Sequence, residues 1–112
     1  MVQYNPASAN AAFAAVSDLT RRGILERLAH TDASITELAK RFHMTLTGMK
    51  KHVGVLERAG LVTTEKVGRV RTCRLGRQRL ENEAAWIARF HQLWAARFEE
   101  LDHVVADLNR KE

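Results

Sequence analysis

At Gly60 the spacing of apolar residues changes from a helical period to a strand period, so the fold must let a helix feed directly into a β-hairpin. Upstream, Met49, Val53 and Leu56 recur at steps of three and four residues, the spacing that gathers side chains on one face of an α-helix. Downstream, LVTTEKV and VRTCRL flank Gly68 and Arg69. A two-residue connection with glycine first suits a type II′ hairpin. Gly60 itself fits the position just past a helix end, where a left-handed residue closes the last turn.

The helix before Gly60 starts at Leu46, with the Thr45 hydroxyl as its cap, and runs to about Ala59. A shorter helix precedes it. Ser34 and Glu37 stand in capping-box register, so that helix begins at Ile35 and carries Leu38, Ala39 and Phe42 toward the core. Two short helices bridged by His43 and Met44 make a helix-turn-helix signature. Further upstream, Asn5 and Pro6 read as the cap and first residue of an Ala-rich helix through about Val16, with Phe13 and Val16 on its apolar side. Ser17 or Asp18 caps a second helix to about His30, burying Leu19, Ile24, Leu25 and Leu28, with Gly23 a local weakness. TDAS reads as a polar connector. At 112 residues the chain has the size of one domain. The expected fold class is mainly α with a small β-hairpin, in the order α-α-α-α-β-β-α, as a single domain over 1–112.

Residues 78–109 read as one further helix. Leu80, Ile87, Trp94, Leu101 and Leu108 recur every seven residues, and Ala84, His91, Phe98 and Val105 form a second row. A helix of ~30 residues is ~45 Å long, more than the ~30 Å breadth of a small domain. Its apolar residues therefore need another chain, and a two-fold dimer is the commonest solution.

Charge is segregated along the sequence. Residues 40–79 hold eleven Lys/Arg against Glu57 and Glu65, a net +9, whereas the segments before and after carry −1 and −3. That distribution is the footprint of a polyanion-binding face. On the helix over 46–59, steps of roughly 100° put Thr47, Lys50, Lys51 and Gly54 opposite the apolar side. Glycine inside a helix costs about 1 kcal/mol relative to alanine, so Gly54 marks either close approach to another surface or neutral variation. On the hairpin, Lys66, Arg69 and Arg71 cluster at the tip while Cys73 and Leu75 alternate onto the core face.

Other classes fit poorly. No apolar run approaches the ~20 residues of a membrane span, and no signal segment opens the chain, so a cytoplasmic location is expected. The single cysteine, Cys73, allows no disulfide within the chain and no thiolate-rich zinc site. It reads as a small buried hydrophobe rather than a redox sensor. There is no phosphate-cradling Gly-rich loop and no G-x-S-x-G elbow, which argues against an enzyme.

The stretch ITELAKRFHMTLTGMKKHVGVLERAGLV, followed by GRVRTCRL, resembles the winged helix-turn-helix of ArsR-type transcriptional regulators over about residues 10–76. The resemblance implies a homodimer through the first and last helices, a fourth helix that enters the DNA major groove, and a wing that contacts phosphates or the minor groove. Thr45 and Thr47 match hydroxyl positions at the start of the recognition helix. Lys51 and His52 match its basic–histidine pair, and Gly68 and Arg69 match the turn of the wing. Lys50 departs from the small serine common there and adds a long cationic donor. Metal-sensing members carry Cys-x-Cys on the third helix, or Asp-x-His with His-x-x-Glu on the last. Here ITELAKRF has no thiolate, and neither His91 nor His103 has that spacing. His103 is placed to meet Glu99 or Asp107 as an ordinary helix pair, so no metal and no cofactor are expected.

The function expected is that of a DNA-binding repressor whose homodimer meets a roughly palindromic operator, with double-stranded DNA as partner. Thr45, Thr47, Lys50, Lys51 and His52 on the helix-turn-helix over 34–59, with Lys66, Arg69 and Arg71 on the wing over 61–75, form the expected DNA-binding set. The helix over 78–109 is the expected dimerisation element. Amides capped near Thr45 add a place for a phosphate. The alternative is a winged-helix protein-interaction module without sequence-specific readout. These residues specify no effector.

Overall fold

The computed structural model describes residues 6–110. The chain divides between Leu80 and Glu81 into two compact units. The first contains α1 (Pro6–Val16), α2 (Leu19–Leu28), β1 (Ala33–Ser34), α3 (Ile35–Arg41), α4 (Leu46–Arg58), β2 (Val62–Val67) and β3 (Val70–Leu75). The second holds α5 (Glu81–Arg110). The expected Asn5 cap lies outside the described residues.

Local side-chain chemistry sets the helix ends. Of Ser17 and Asp18, it is Asp18 that caps α2, accepting from the Arg21 N–H at 3.0 Å. The capping box forms as its spacing requires: Ser34 Oγ accepts from the Glu37 N–H at 3.0 Å, and Glu37 Oε1 accepts from the Ser34 N–H at 3.1 Å. Thr45 Oγ1 accepts from the Gly48 N–H at 3.0 Å and opens α4. His43, with φ 54°, makes the left-handed corner between α3 and α4. At the end of α4, Gly60 takes φ 79° while the N–H groups of Gly60 and Leu61 bond to the carbonyls of Glu57 and Leu56, a Schellman closure. Gly68 has φ 63° and Arg69 stays negative, the pattern of a type II′ turn.

The core of the first unit gathers around Ile24 and Leu28 of α2, Leu38 of α3, Met49, Val53 and Leu56 of α4, Val62 of β2 and Cys73 of β3. Alanines 9, 12 and 15 bury the inner side of α1. Burial pushes the Cys73 thiol up to about 11, with the Glu57 charge adding to the effect and Arg71 opposing it.

Several details differ from the sequence expectations. Ala33 and Ser34 are not simply connector: they pair with Cys73 and Thr72, giving an antiparallel sheet in the order β1-β3-β2. Helix α2 ends at Leu28, short of His30. Leu19 is 76% exposed, because it lies roughly 140° around the helix from Ile24 and 180° from Leu28. Leu75, at the end of its strand, is exposed although Cys73 is buried. Gly23 is a packing device: a β-carbon there would lie 2.8 Å from the Phe42 ring.

Helix α5 starts at Glu81 rather than 78, because Leu80 takes φ 61° and its N–H bonds to the Gln78 side chain at 2.8 Å. Its 30 residues span ~45 Å. Ile87, Leu93, Trp94, Phe98, Leu101, Val104, Val105 and Leu108 are each 41–63% exposed. Trp86 stacks on Phe90 with ring centroids 5.4 Å apart, and Trp94 meets Phe98 at 4.4 Å. His103 stands 4.0 Å from Glu99, both strongly exposed. No helix among the described residues is long and apolar enough to cross a membrane.

Candidate nucleic-acid interface

Helix α4 is anchored from one side only. Met49, Val53 and Leu56 are at most 2% exposed, each contributing about 1.5–3 kcal/mol of burial. The opposite side turns Thr47, Lys50 and Lys51 to solvent. The anchor therefore fixes the rotation of the helix without using its cations. Thr45 is exposed at the start of this helix, and its hydroxyl keeps a proton to donate after the oxygen has capped Gly48.

The wing extends the same surface. Lys50 faces a cleft that it shares with Leu46 at the start of α4 and with Lys66, Arg69 and Arg71 of the wing. A second depression joins Lys50 to Glu57, Thr64 and Arg71. Across that gap Arg71 Nη1 donates to Thr64 Oγ1 at 3.0 Å, and Thr64 donates to Glu57 Oε2 at 2.6 Å. This relay ties the wing to α4. Arg74 is occupied elsewhere, 3.5 Å from both Asp32 and Glu65, so those carboxylates are drawn to it.

Of the expected set, Thr47, Lys50, Lys51, Lys66, Arg69 and Arg71 come together on one exposed face. His52 stands apart from them. Its side chain is 21% exposed, with Nδ1 at 3.4 Å from Arg21 Nη1 and 3.9 Å from Asp18 Oδ2. The Lys51–His52 pair alone gives no sign of that inward contact.

Arg58 joins this face although it is absent from the expected set. It lies two turns beyond Lys51 on the same side, and with Thr47, Lys50 and Lys51 it lines a shallow groove along α4. Its guanidinium folds across Gly54, Nη1 lying 3.2 Å from where a β-carbon would sit. The surface that needs Gly54 to be small is thus the chain's own. The seven-residue spacing from Lys51 is the signal in the sequence that points to Arg58.

Residues 16–65 match a family model described as a helix-turn-helix domain. The chain is 27% identical over 81 residues to the transcriptional repressor SdpR of Bacillus subtilis, a match covering 72% of this chain and 90% of SdpR. It superposes on an ArsR-like transcriptional regulator from Rhodococcus with a TM-score of 0.67 at 33% identity, over 88% of this chain and 92% of that one. With the crystal structure of another ArsR family transcriptional regulator the TM-score is 0.73 and the identity 42%, over 85% of this chain and 97% of that chain. With the winged helix-turn-helix architecture, the outward basic face and these likenesses together, the chain belongs to the ArsR family and is a helix-turn-helix transcriptional regulator, not an enzyme.

Proposed function

We propose that the protein is a sequence-specific DNA-binding repressor that acts in the cytoplasm as a homodimer on a roughly palindromic operator. One observation carries this reading: Lys50 and Lys51 are exposed on a helix whose reverse face is locked into the core by Met49, Val53 and Leu56. In this reading α4 lies in the major groove, where Thr47 and the lysines meet base edges. Lys66, Arg69 and Arg71 of the wing meet phosphates or the minor groove, and Arg58 extends the phosphate contacts along the helix. Thr45 holds the start of the helix in place and offers its hydroxyl proton. The repressor role is supported by the likeness to SdpR, itself a transcriptional repressor.

The homodimer is supported by the apolar rows of α5, which offer Leu93, Trp94, Leu101 and Leu108 to another helix. The division of labour is 34–59 for DNA reading, 61–75 for the wing and 78–109 for pairing together with α1. Sedimentation at micromolar concentration tests the assembly, with a dimer expected; a monomer would leave operator symmetry without a basis. Selection of duplexes from a random pool tests the readout. A shared inverted repeat with half-sites ~34–36 Å apart, or a multiple, is the expected product. Recovery of unrelated sequences would favour an interaction module.

A further inference from the structure

One side chain links three helices. Arg21, in the first turn of α2, donates from Nε to the Ala15 carbonyl at 2.7 Å and from Nη2 to the Ala14 carbonyl at 3.0 Å. These are carbonyls of the last turn of α1, which lack partners within their own helix and attract a cation. The backbone N–H of Arg21 is held by Asp18, the α2 cap, so both ends of the residue are fixed. The remaining arm, Nη1, lies 3.4 Å from Nδ1 of His52, in the middle of α4. A guanidinium can only donate, so this contact uses Nδ1 as an acceptor, with the imidazole proton on Nε2.

We propose that His52 is a positioning residue: through Nδ1 and Arg21 it ties the rotation of the recognition helix α4 to the end of α1. Lys51, its neighbour in sequence, then points to DNA because His52 points to Arg21. This rests on the DNA-binding reading above and deepens it, since it joins the helix that reads DNA to a helix assigned to pairing. The resemblance to the family places His52 among the DNA contacts. Its low exposure and the engagement of its inner nitrogen favour a role behind the surface.

The test exploits two amides of different reach. In His52→Asn the amide oxygen can take the place of Nδ1; in His52→Gln the longer side chain carries its amide to the place of Nε2. Operator affinity is measured by fluorescence polarisation on a duplex selected with the wild-type protein, and circular dichroism checks folding. His52→Ala is expected to weaken binding about tenfold, the scale of one hydrogen bond to a charged group. His52→Asn should remain within about twofold of wild type, and His52→Gln should be as weak as alanine. Arg21→Gln should match His52→Ala, and the double variant should be no weaker than either, because both remove one link. The reverse ranking, with glutamine restoring affinity and asparagine not, overturns the proposal in favour of a direct DNA contact through Nε2. So does a double variant whose losses multiply to about a hundredfold, or a set of His52 variants that all bind as wild type. A wild-type protein that binds no duplex defeats the DNA-binding reading itself, and is a different result from a wild type that binds while its variants rank wrongly.

Discussion

Lys66 and Arg71 stand directly opposite each other across the wing. Two like charges in that register destabilise a hairpin by roughly 0.2–1 kcal/mol when nothing lies between them. The pair makes sense as a cradle for an anion brought by another molecule. Lys66→Glu should therefore separate stability from function: Tm should rise by a degree or more while operator affinity falls at least about tenfold. A lower Tm together with unchanged affinity would remove the wing from the interface. Differential scanning fluorimetry and polarisation read the two effects.

Gly23→Ala should destabilise the fold although alanine is the better helix former. Helix propensity gains about 1 kcal/mol, but the added carbon would press within 2.8 Å of the Phe42 ring that packs α3 against α2. Overpacking of this kind costs about 1–3 kcal/mol. Urea denaturation should show a lower midpoint with an unchanged slope, and a raised midpoint would mean that Phe42 moves aside freely.

The acid side of the stability curve should carry a contribution from Glu37. The Ser34 backbone N–H and then the Ser34 hydroxyl hold its carboxyl below the ordinary value of 4.5. Because the folded value is depressed, the contribution is complete above the unfolded value and disappears as pH falls through the folded one. Glu37→Gln keeps the capping geometry and drops the charge. Its Tm deficit should be present at pH 7 and shrink below about pH 4.5; a deficit constant down to pH 3 would contradict this origin.

Cys73 should be chemically silent in the native protein. It is fully buried and its thiol is raised to about 11, so almost no thiolate exists at pH 8. Iodoacetamide labelling followed by mass spectrometry should be much slower in buffer than in denaturant, and Cys73→Ser should leave operator affinity indifferent to oxidant. Rapid native labelling would reopen a redox role.

What is legible in the sequence is local. Thr45, Ser34 and Glu37 cap their helices through bonds spanning three residues, and the switch of period at Gly60 needs no knowledge of distant contacts. The rest depends on partners far along the chain. Ala33–Ser34 becomes a strand only because Thr72 and Cys73 arrive beside it, and two residues are too few to display an alternation. Gly23 looks like a flaw until Phe42 is seen against it. Apolarity alone assigns Leu19 to the core, whereas the angular phase set by Ile24 and Leu28 already turns it outward. On the candidate face, Lys50 and Lys51 follow from helical geometry alone. Arg58 satisfies the same geometry, whereas the inward contact of His52 can be found only once α2 is placed beside α4.

The most direct measurement is the affinity of the wild-type protein and of Lys50→Ala/Lys51→Ala for a selected duplex, by fluorescence polarisation from about 50 to 200 mM salt. The wild type should weaken steeply as salt rises. The double variant should bind far more weakly, with the same Tm as wild type and a log–log slope shallower by about 2, one for each phosphate that no longer meets a lysine. Equal affinities and equal slopes for the two proteins would contradict the account, because the cations turned outward by the buried face of α4 would then not be the ones that meet DNA.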